Sequence, residues 1–557
     1  MKRNYLKRFL ACTGLSLVVA LAGCGGGNTA ANSSGTSSNS SYQTASAVTD
    51  TTISADETNS AFSITTDTGA ITQTSVGYTL SAAGVYTLTG RLNGQILVEA
   101  GEEDEVELAM NGVTIEYSSD SPIKILSADK VEISAKSGTE NVIKDTRSAK
   151  TTDVETQGEG AVYAKTDLKF KGTGTLAIQA GYNDGVHTTK DLKIQKLSLK
   201  VTAYGTALQG NDSVTVLSGQ VVAISTHADG VKTQNTDANS SGETRGDVTL
   251  TGGSIAVYAA GDGFDSAHNF TMAADEEGNA PNVCVYTGSY SGYTASGATT
   301  TSYKGVKVQN VLAIGAGSVE LQTYDDGLHA DYGTTFTAGG TGEGTINITG
   351  GTITMNVYAP ANKATGGGRM GPGGWGNQQT VSGADAIHAD YKLNISGGSI
   401  NIDSAYEGLE ANVITVSGGQ TYVTANDDGV NACSGKSTPL VSVTGGYLDV
   451  TVAPNGDTDG IDSNGSYSQT GGVVIARGPN SDMAAALDAD GTVSITAGTL
   501  IVLGYARVTT GGSVRSYSLS LHSAGTKTVK INGTAYTFTN ANSYGRTYCY
   551  SSVTVSA

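Results

Sequence analysis

Asp385-Ala386-Ile387-His388, Glu407-Gly408-Leu409-Glu410 and Asp428-Gly429-Val430-Asn431 are copies of one phrase, acidic-small-aliphatic-x, whose first residues stand 22 and then 21 positions apart. The phrase recurs outward from this stretch as Asp184-Gly185-Val186-His187, Asp229-Gly230-Val231-Lys232, Asp262-Gly263-Phe264-Asp265, Asp326-Gly327-Leu328-His329 and Asp459-Gly460-Ile461-Asp462. Weaker copies starting at Gly160, Thr206, Lys304 and Ala485 fill most gaps with steps of 22 to 26. Self-similarity at that period is the signature of a solenoid. Between copies the sequence alternates and closes on a glycine pair, as in Leu393-Asn394-Ile395-Ser396-Gly397-Gly398-Ser399-Ile400-Asn401-Ile402. Alternation reads as strand and the paired glycines as a turn between short strands.

A unit of roughly 22 residues with no stretch long enough for a crossover helix reads as one coil of a parallel β-helix. The predicted fold class is therefore all-β: a single-stranded, right-handed parallel β-helix with N- and C-terminal caps, climbing about 4.8 Å per coil. Aliphatic pairs such as Leu192/Ile194, Leu393/Ile395 and Val413/Val416 are expected to stack into a core that no single coil could bury alone. Residues 61–145 carry strand and turn signals of a different texture and are assigned to an N-terminal cap with the first irregular coils; residues 146–503 form the β-helix, and 504–557 a C-terminal β cap.

With 76 glycines and 7 prolines in 557 residues, the composition favours turns and strands over helices. Residues 1–8 are basic, Phe9 to Ala22 are apolar but short for a bilayer span, and Leu21-Ala22-Gly23-Cys24 resembles the lipobox of bacterial lipoproteins. That reading makes 1–23 a signal peptide, Cys24 the lipidated first residue, and 24–60 a flexible Ser/Thr/Gly tether. The protein is then expected to be secreted and lipid-anchored at a bacterial cell surface. Without the four leader bases, 28 Lys and Arg stand against 51 Asp and Glu, a balance of −23. Such a surface repels nucleic acid and anionic headgroups and attracts multivalent cations, although extracellular repeats also carry acid for solubility alone. The membrane is thus met through the lipid anchor only, and a monomer is expected. Cys284, Cys433 and Cys549 are unpatterned and imply neither a disulfide framework nor a metal cluster.

The segments Gly84-Val85-Tyr86-Thr87-Leu88-Thr89-Gly90, Val113-Thr114-Ile115, Ser121-Pro122-Ile123 and Gly138-Thr139-Glu140-Asn141, followed by the Asp-Gly-aliphatic coils, resemble the clostridial-type β-helix carbohydrate-binding domain, a cell-surface family related in fold to pectate lyases. The resemblance covers roughly Tyr78 to Leu503. It implies a calcium-containing β-helix that binds plant cell-wall polysaccharide such as polygalacturonate or cellulose, without established catalysis.

Electrostatics argues for calcium separately. If the phrase falls at one corner of each coil, its carboxylates stand about 4.8 Å apart and repel by roughly 1 kcal/mol in water, more when buried. Ca²⁺ binds 6 to 8 oxygens at about 2.3–2.6 Å, so one ion fits between rungs. Candidate metal ligands are Asp385, Glu407, Glu410, Asp428, Asp459 and Asp462 in the dense stretch, with Asp326, and with Asp262 and Asp265, which lie beside Lys232 and Lys307 and are open to internal pairing. The competing account is that Asp-Gly is a favoured turn dipeptide, because Asp bonds its own backbone and Gly tolerates positive φ. His187, His329 and His388 fill the fourth position of their phrases and are read as exposed stacked histidines rather than a transition-metal site.

Sugar binding needs flat faces with polar edges, and the chain has 27 Tyr, 7 Phe and one Trp. Candidate carbohydrate contacts are Trp375 and Arg369 in a Gly-rich insertion, together with Lys232 and Lys307. No catalytic residue is assigned. A binding module, a calcium-dependent lyase using Lys232, Lys304 or Lys307 as base, and a structural adhesin are the three readings that remain open.

Overall fold

The computed structural model describes residues 53–152, 157–288, 302–358, 384–456, 458–481 and 483–557. Arg369, Trp375 and Cys24 lie outside the described residues. The described chain is all-β with no α-helix, and nearly all of its strands pair in parallel. Each plain coil contributes three short strands, and each strand hydrogen-bonds to its counterpart in the coils on either side. On the first face Ile387 pairs with Leu409, Leu409 with Val430 and Val430 with Ile461. Leu393, Ile414, Val441 and Tyr467 stack on the second face, and Ile400, Thr421, Leu448 and Val474 on the third. This is the topology of a parallel β-helix or solenoid.

The interior follows from period-2 alternation within those strands. Leu192, Ile194, Leu393, Ile395, Ile414 and Val416 are fully buried in one continuous core with their counterparts from every coil. Val413, expected inside with Val416, is only partly buried, because the chain turns a corner between the first and second faces within Leu409–Val416 and resets the alternation.

Coil length is less regular than the central phrases imply. Val186 pairs with Leu208 after 22 residues, but Val231 pairs with Phe264, Phe264 with Val306, and Leu328 with Ile387, steps of 33, 42 and 59. Among the described residues, part of the extra length leaves at a corner as the small hairpin of Tyr332–Thr335 with Thr341–Glu343, and lengthening such a loop costs little entropy.

The two kinds of glycine do different work. Gly419, second of a turn pair, has φ +73°, and a Cβ there would also lie 2.7 Å from the Gly397 carbonyl oxygen. Gly429, after the acid of the phrase, has an ordinary φ; a Cβ there would lie 2.1 Å from Val450 Cγ1 and 2.6 Å from the Gly460 carbonyl oxygen. The phrase glycine is therefore required by close approach of the first face to the third, not by the positive φ expected of an Asp-Gly turn.

At the N-terminal end Ser63–Thr66 runs antiparallel to Gly84–Asn93. At the other end Thr547–Ser551 runs antiparallel to Thr499–Leu503. A hairpin of Gly525–Ile531 and Thr534–Asn540 packs beside it, with Val529, Ile531 and Phe538 in a second apolar cluster with Tyr447, Ile475 and Ile501. Arg477, buried between the two, pairs with Asp449 and donates Nε–H to Asn540 Oδ1 at 2.8 Å. Antiparallel pairing at both ends satisfies strand edges that a parallel stack would leave open.

Candidate binding face

The phrase lies at the start of the first face, and its fourth residue points outward. Register places Lys232 between Gln209 and Asp265, then Lys307, His329, His388, Glu410, Asn431 and Asp462 in one continuous column. The column carries mixed charge, and the carboxylate ladder drawn from the phrase is interrupted by lysine and histidine over its first half.

The first-position carboxylates divide their two oxygens between two tasks. Oδ1 accepts the backbone N–H of the first residue in the next coil: Asp262 N–H to Asp229 at 2.9 Å, Lys304 N–H to Asp262 at 2.7 Å, Asp385 N–H to Asp326 at 2.8 Å, and Asp459 N–H to Asp428 at 2.6 Å. Where a base is available, Oδ2 takes the outward residue: Lys232 Nζ lies 2.7 Å from Asp229, His329 Nδ1 2.8 Å from Asp326 and His388 Nδ1 3.0 Å from Asp385. The acid thus fastens one coil to the next, a longer-range version of the local bonding that the turn account supposes.

Over the first half, the acids are neutralised by protein cations. Lys232 also reaches Asp265 at 2.7 Å, and Lys304 bridges Asp326 at 2.6 Å and Asp325 at 3.1 Å. Burial alone would lower both ammonium groups, but the paired carboxylates hold Lys232 and Lys304 above the usual lysine range. Both are therefore poor general bases. Asp262, with Ser302 Oγ at 2.7 Å, is pushed up to about 7 by burial and by the charges of Asp229 and Asp265. Asp229, Lys232, Asp262, Asp265 and Ser302 line an open groove of about 600 Å³ together with Lys307, His187 and Gln209. A second polar cleft of about 720 Å³ lies at the neighbouring corner, lined among others by Asp191, Asp212, Arg245 and His268.

Over the second half no such compensation occurs. Among the described residues no lysine or arginine pairs with Glu407, Asp428 or Asp462. Burial, then the Glu410 charge, raises Glu407 to about 7. Burial, then Asp459, Glu407 and Asp427, raises Asp428 to about 9, and burial with Asp488 and Asp490 raises Asp462 to about 6. Asn431 donates its amide to Glu407 at 3.0 Å while its Oδ1 is buried without a hydrogen-bond partner. Half-buried carboxyl groups beside an orphaned oxygen acceptor form an oxygen-only donor set suited to a hard cation.

His329 and His388 do stack, with ring centroids 4.7 Å apart and 16° between planes, but they are not exposed as expected: His329 is 8% accessible. Each ring is gripped at both nitrogens. His329 Nε2 lies 2.9 Å from Asp331, and His388 Nε2 3.1 Å from Asp390. Asp331 and Asp390 were not singled out from the sequence, although both sit five residues after a phrase acid, an offset visible in Asp326/Asp331 and Asp385/Asp390.

A family model described as carbohydrate-binding domain-containing protein matches residues 72–356 and 340–429, more than half of the chain. The chain belongs to this family. Both the cation-paired groove and the first acidic rungs, through Asp428, fall inside the matched residues. A carbohydrate-binding domain-containing protein of Acetivibrio thermocellus is 37% identical over 126 residues, 22% of this chain and 44% of that protein, so the chain spans less than half the length of this relative. A solved structure titled as the polysaccharide lyase-like protein from C. thermocellum, gadolinium derivative, is 33% identical, with 39% of this chain and 84% of that chain covered and a TM-score of 0.35.

Proposed function

We propose that this protein is a surface-anchored, calcium-containing polysaccharide-binding protein for plant cell-wall glycans such as polygalacturonate or cellulose, displayed as a right-handed monomeric rod through a lipid on Cys24. The observation that carries the reading is the open groove on the first face, where Lys232, Lys307, Gln209 and His187 offer donors and Asp262 and Asp265 acceptors along the direction in which coils stack. A long, shallow, mixed-charge groove suits an extended chain of hydroxyls and carboxylates better than a compact ligand. Cell-surface carbohydrate binding is also what the family description and the clostridial-type resemblance imply.

Calcium fits one part of the column and not another. The oxygen-only stretch of Glu407, Asp428, Asp459 and Asp462 matches a hard cation that accepts carboxylate and amide oxygens. Asp262, Asp265 and Asp326 already have ammonium, hydroxyl or imidazole partners, and Asp385 and Glu410 share an imidazole nitrogen, a poor calcium ligand. Calcium in the acidic stretch is structural, and by neutralising carboxylates there it lowers the repulsion that a net-acidic rod exerts on polygalacturonate. Carbohydrate contacts from Trp375 and Arg369 belong to the same proposal.

The lyase alternative lacks a poised base in Lys232 and Lys304, both held in ion pairs. The test is binding of the mature protein to a polysaccharide panel with and without chelator, followed by an assay for unsaturated products. Calcium-dependent retention of polygalacturonate without such products is expected. Undiminished retention in excess chelator at low salt removes the bridging role, and accumulation of unsaturated sugar replaces the binding module with a lyase.

A further inference from the structure

Where the two halves of the outward column meet, Asp385, His388 and Glu410 come together. His388 Nδ1 lies 3.0 Å from Asp385 Oδ2 and 3.1 Å from Glu410 Oε2, and the three donor atoms form one compact group. His388 Nδ1 faces both carboxyl groups, and Asp385 and Glu410 also hydrogen-bond each other, so the three side chains converge on shared protons in a space that one dication can take instead. Four-coordinate zinc has bonds of about 2.0–2.1 Å to nitrogen and carboxylate oxygen, which sets neighbouring donors about 3.3 Å apart. The two observed separations from Nδ1 lie within about 0.3 Å of that value.

A second, independent feature is the far side of the ring. His388 Nε2 lies 3.1 Å from Asp390 Oδ1. A histidine that ligates through one nitrogen and gives the other N–H to a carboxylate is the usual outer arrangement of a zinc site, because the outer carboxylate fixes the tautomer and turns the lone pair toward the ion. The neighbouring coil offers a similar set in Asp326, His329 and His388. There, however, Lys304 Nζ already lies 2.6 Å from Asp326 Oδ2 and supplies the positive charge. No lysine or arginine does so for Asp385 or Glu410 among the described residues.

We propose that Asp385, His388 and Glu410 form a site for a transition-metal dication of the zinc class, distinct from the calcium of the acidic stretch, with Asp390 as its positioning residue. Imidazole nitrogen selects borderline ions such as Zn²⁺ and Co²⁺ over Ca²⁺, which takes oxygen ligands. Three protein ligands leave a fourth position for water. The Cys433 thiol lies against Glu410 but is not one of the ligating group.

The proposal does not depend on polysaccharide binding and is tested without sugar. Mature protein is stripped with chelator, returned to excess CaCl₂, and titrated with CoCl₂ while the visible spectrum is recorded, then back-titrated with ZnCl₂. One equivalent of Co²⁺ is expected to give four-coordinate d–d bands, with no thiolate charge-transfer band, and Zn²⁺ is expected to bleach them. His388→Gln is expected to abolish the bands and His329→Gln to retain them. Asp390→Asn, which removes no ligand, is expected to weaken binding by about ten- to hundredfold. Coincident thermal transitions of the metal-free variants and wild type show that loss of binding is not loss of fold. Absence of bands in the wild type with calcium present, bands undiminished in His388→Gln, equal loss in His329→Gln, or a thiolate charge-transfer band would each overturn the assignment.

Discussion

Asp428→Asn separates the electrostatic from the structural role of a phrase acid. The carboxyl is half-buried, its Oδ1 accepts the Asp459 N–H at 2.6 Å, and desolvation with the charges of Asp459, Glu407 and Asp427 lifts it from 3.8 to about 9. Asparagine keeps the acceptor oxygen and removes the charge. A carboxyl raised on folding is protonated in the native state where the unfolded chain is ionised, so its contribution is intact below about pH 4 and is lost as pH rises toward 9. Between those limits the native state holds about one extra proton, and metal-free stability falls by about 1.4 kcal/mol per pH unit on this account. From pH 6 to pH 8 the wild type should therefore lose about 2.7 kcal/mol more than Asp428→Asn. Urea denaturation of both proteins at pH 6, 7 and 8 in chelator measures the difference. Calcium should reverse the order, because the wild type gains a ligand that binds only the folded state and the variant loses one of its oxygens. Parallel pH dependences in chelator, or a variant less stable than wild type at pH 8 without metal, would refute the reasoning.

Gly429→Ala places a Cβ 2.1 Å from Val450 Cγ1 and should cost about 1–3 kcal/mol by overpacking; Val450→Ala in the same chain should recover part of it, and a thermal melt unaffected by the single change would remove the close-approach explanation. Arg477→Met leaves buried Asp449 without its cation and Asn540 Oδ1 without its guanidinium donor, so the C-terminal hairpin should loosen, at a cost of about 3–5 kcal/mol. Hydrogen exchange in Gly525–Ile531 and Thr534–Asn540 reads this locally, and unchanged protection there would exclude a clasp between hairpin and solenoid.

The acidic-small-aliphatic phrase and the alternation around it determined the stacking of parallel strands, because a side chain's face is set by local periodicity and identical coils bury the same positions. Leu393, Ile395, Ile414 and Val416 could be placed in the core for that reason. The phrase also marked the corner at which charge accumulates, and the pairing of Asp265 with Lys232 was one of two readings it left open. Which charge lies over which was decided by coil stacking. Leu328 and Ile387 are 59 residues apart in sequence yet neighbours in register, so the contact of His329 with His388 is set by the stacking of coils and not by sequence spacing. The chain likewise does not reveal that Lys304 reaches Asp326 while, among the described residues, no lysine or arginine pairs with Glu407 or Asp428, since ion pairing across coils depends on side-chain reach between rungs. The phrase glycine is the clearest division: its recurrence was visible in sequence, but its cause, a Val450 methyl from another face pressing on the backbone at Gly429, exists only once the three faces close around one core.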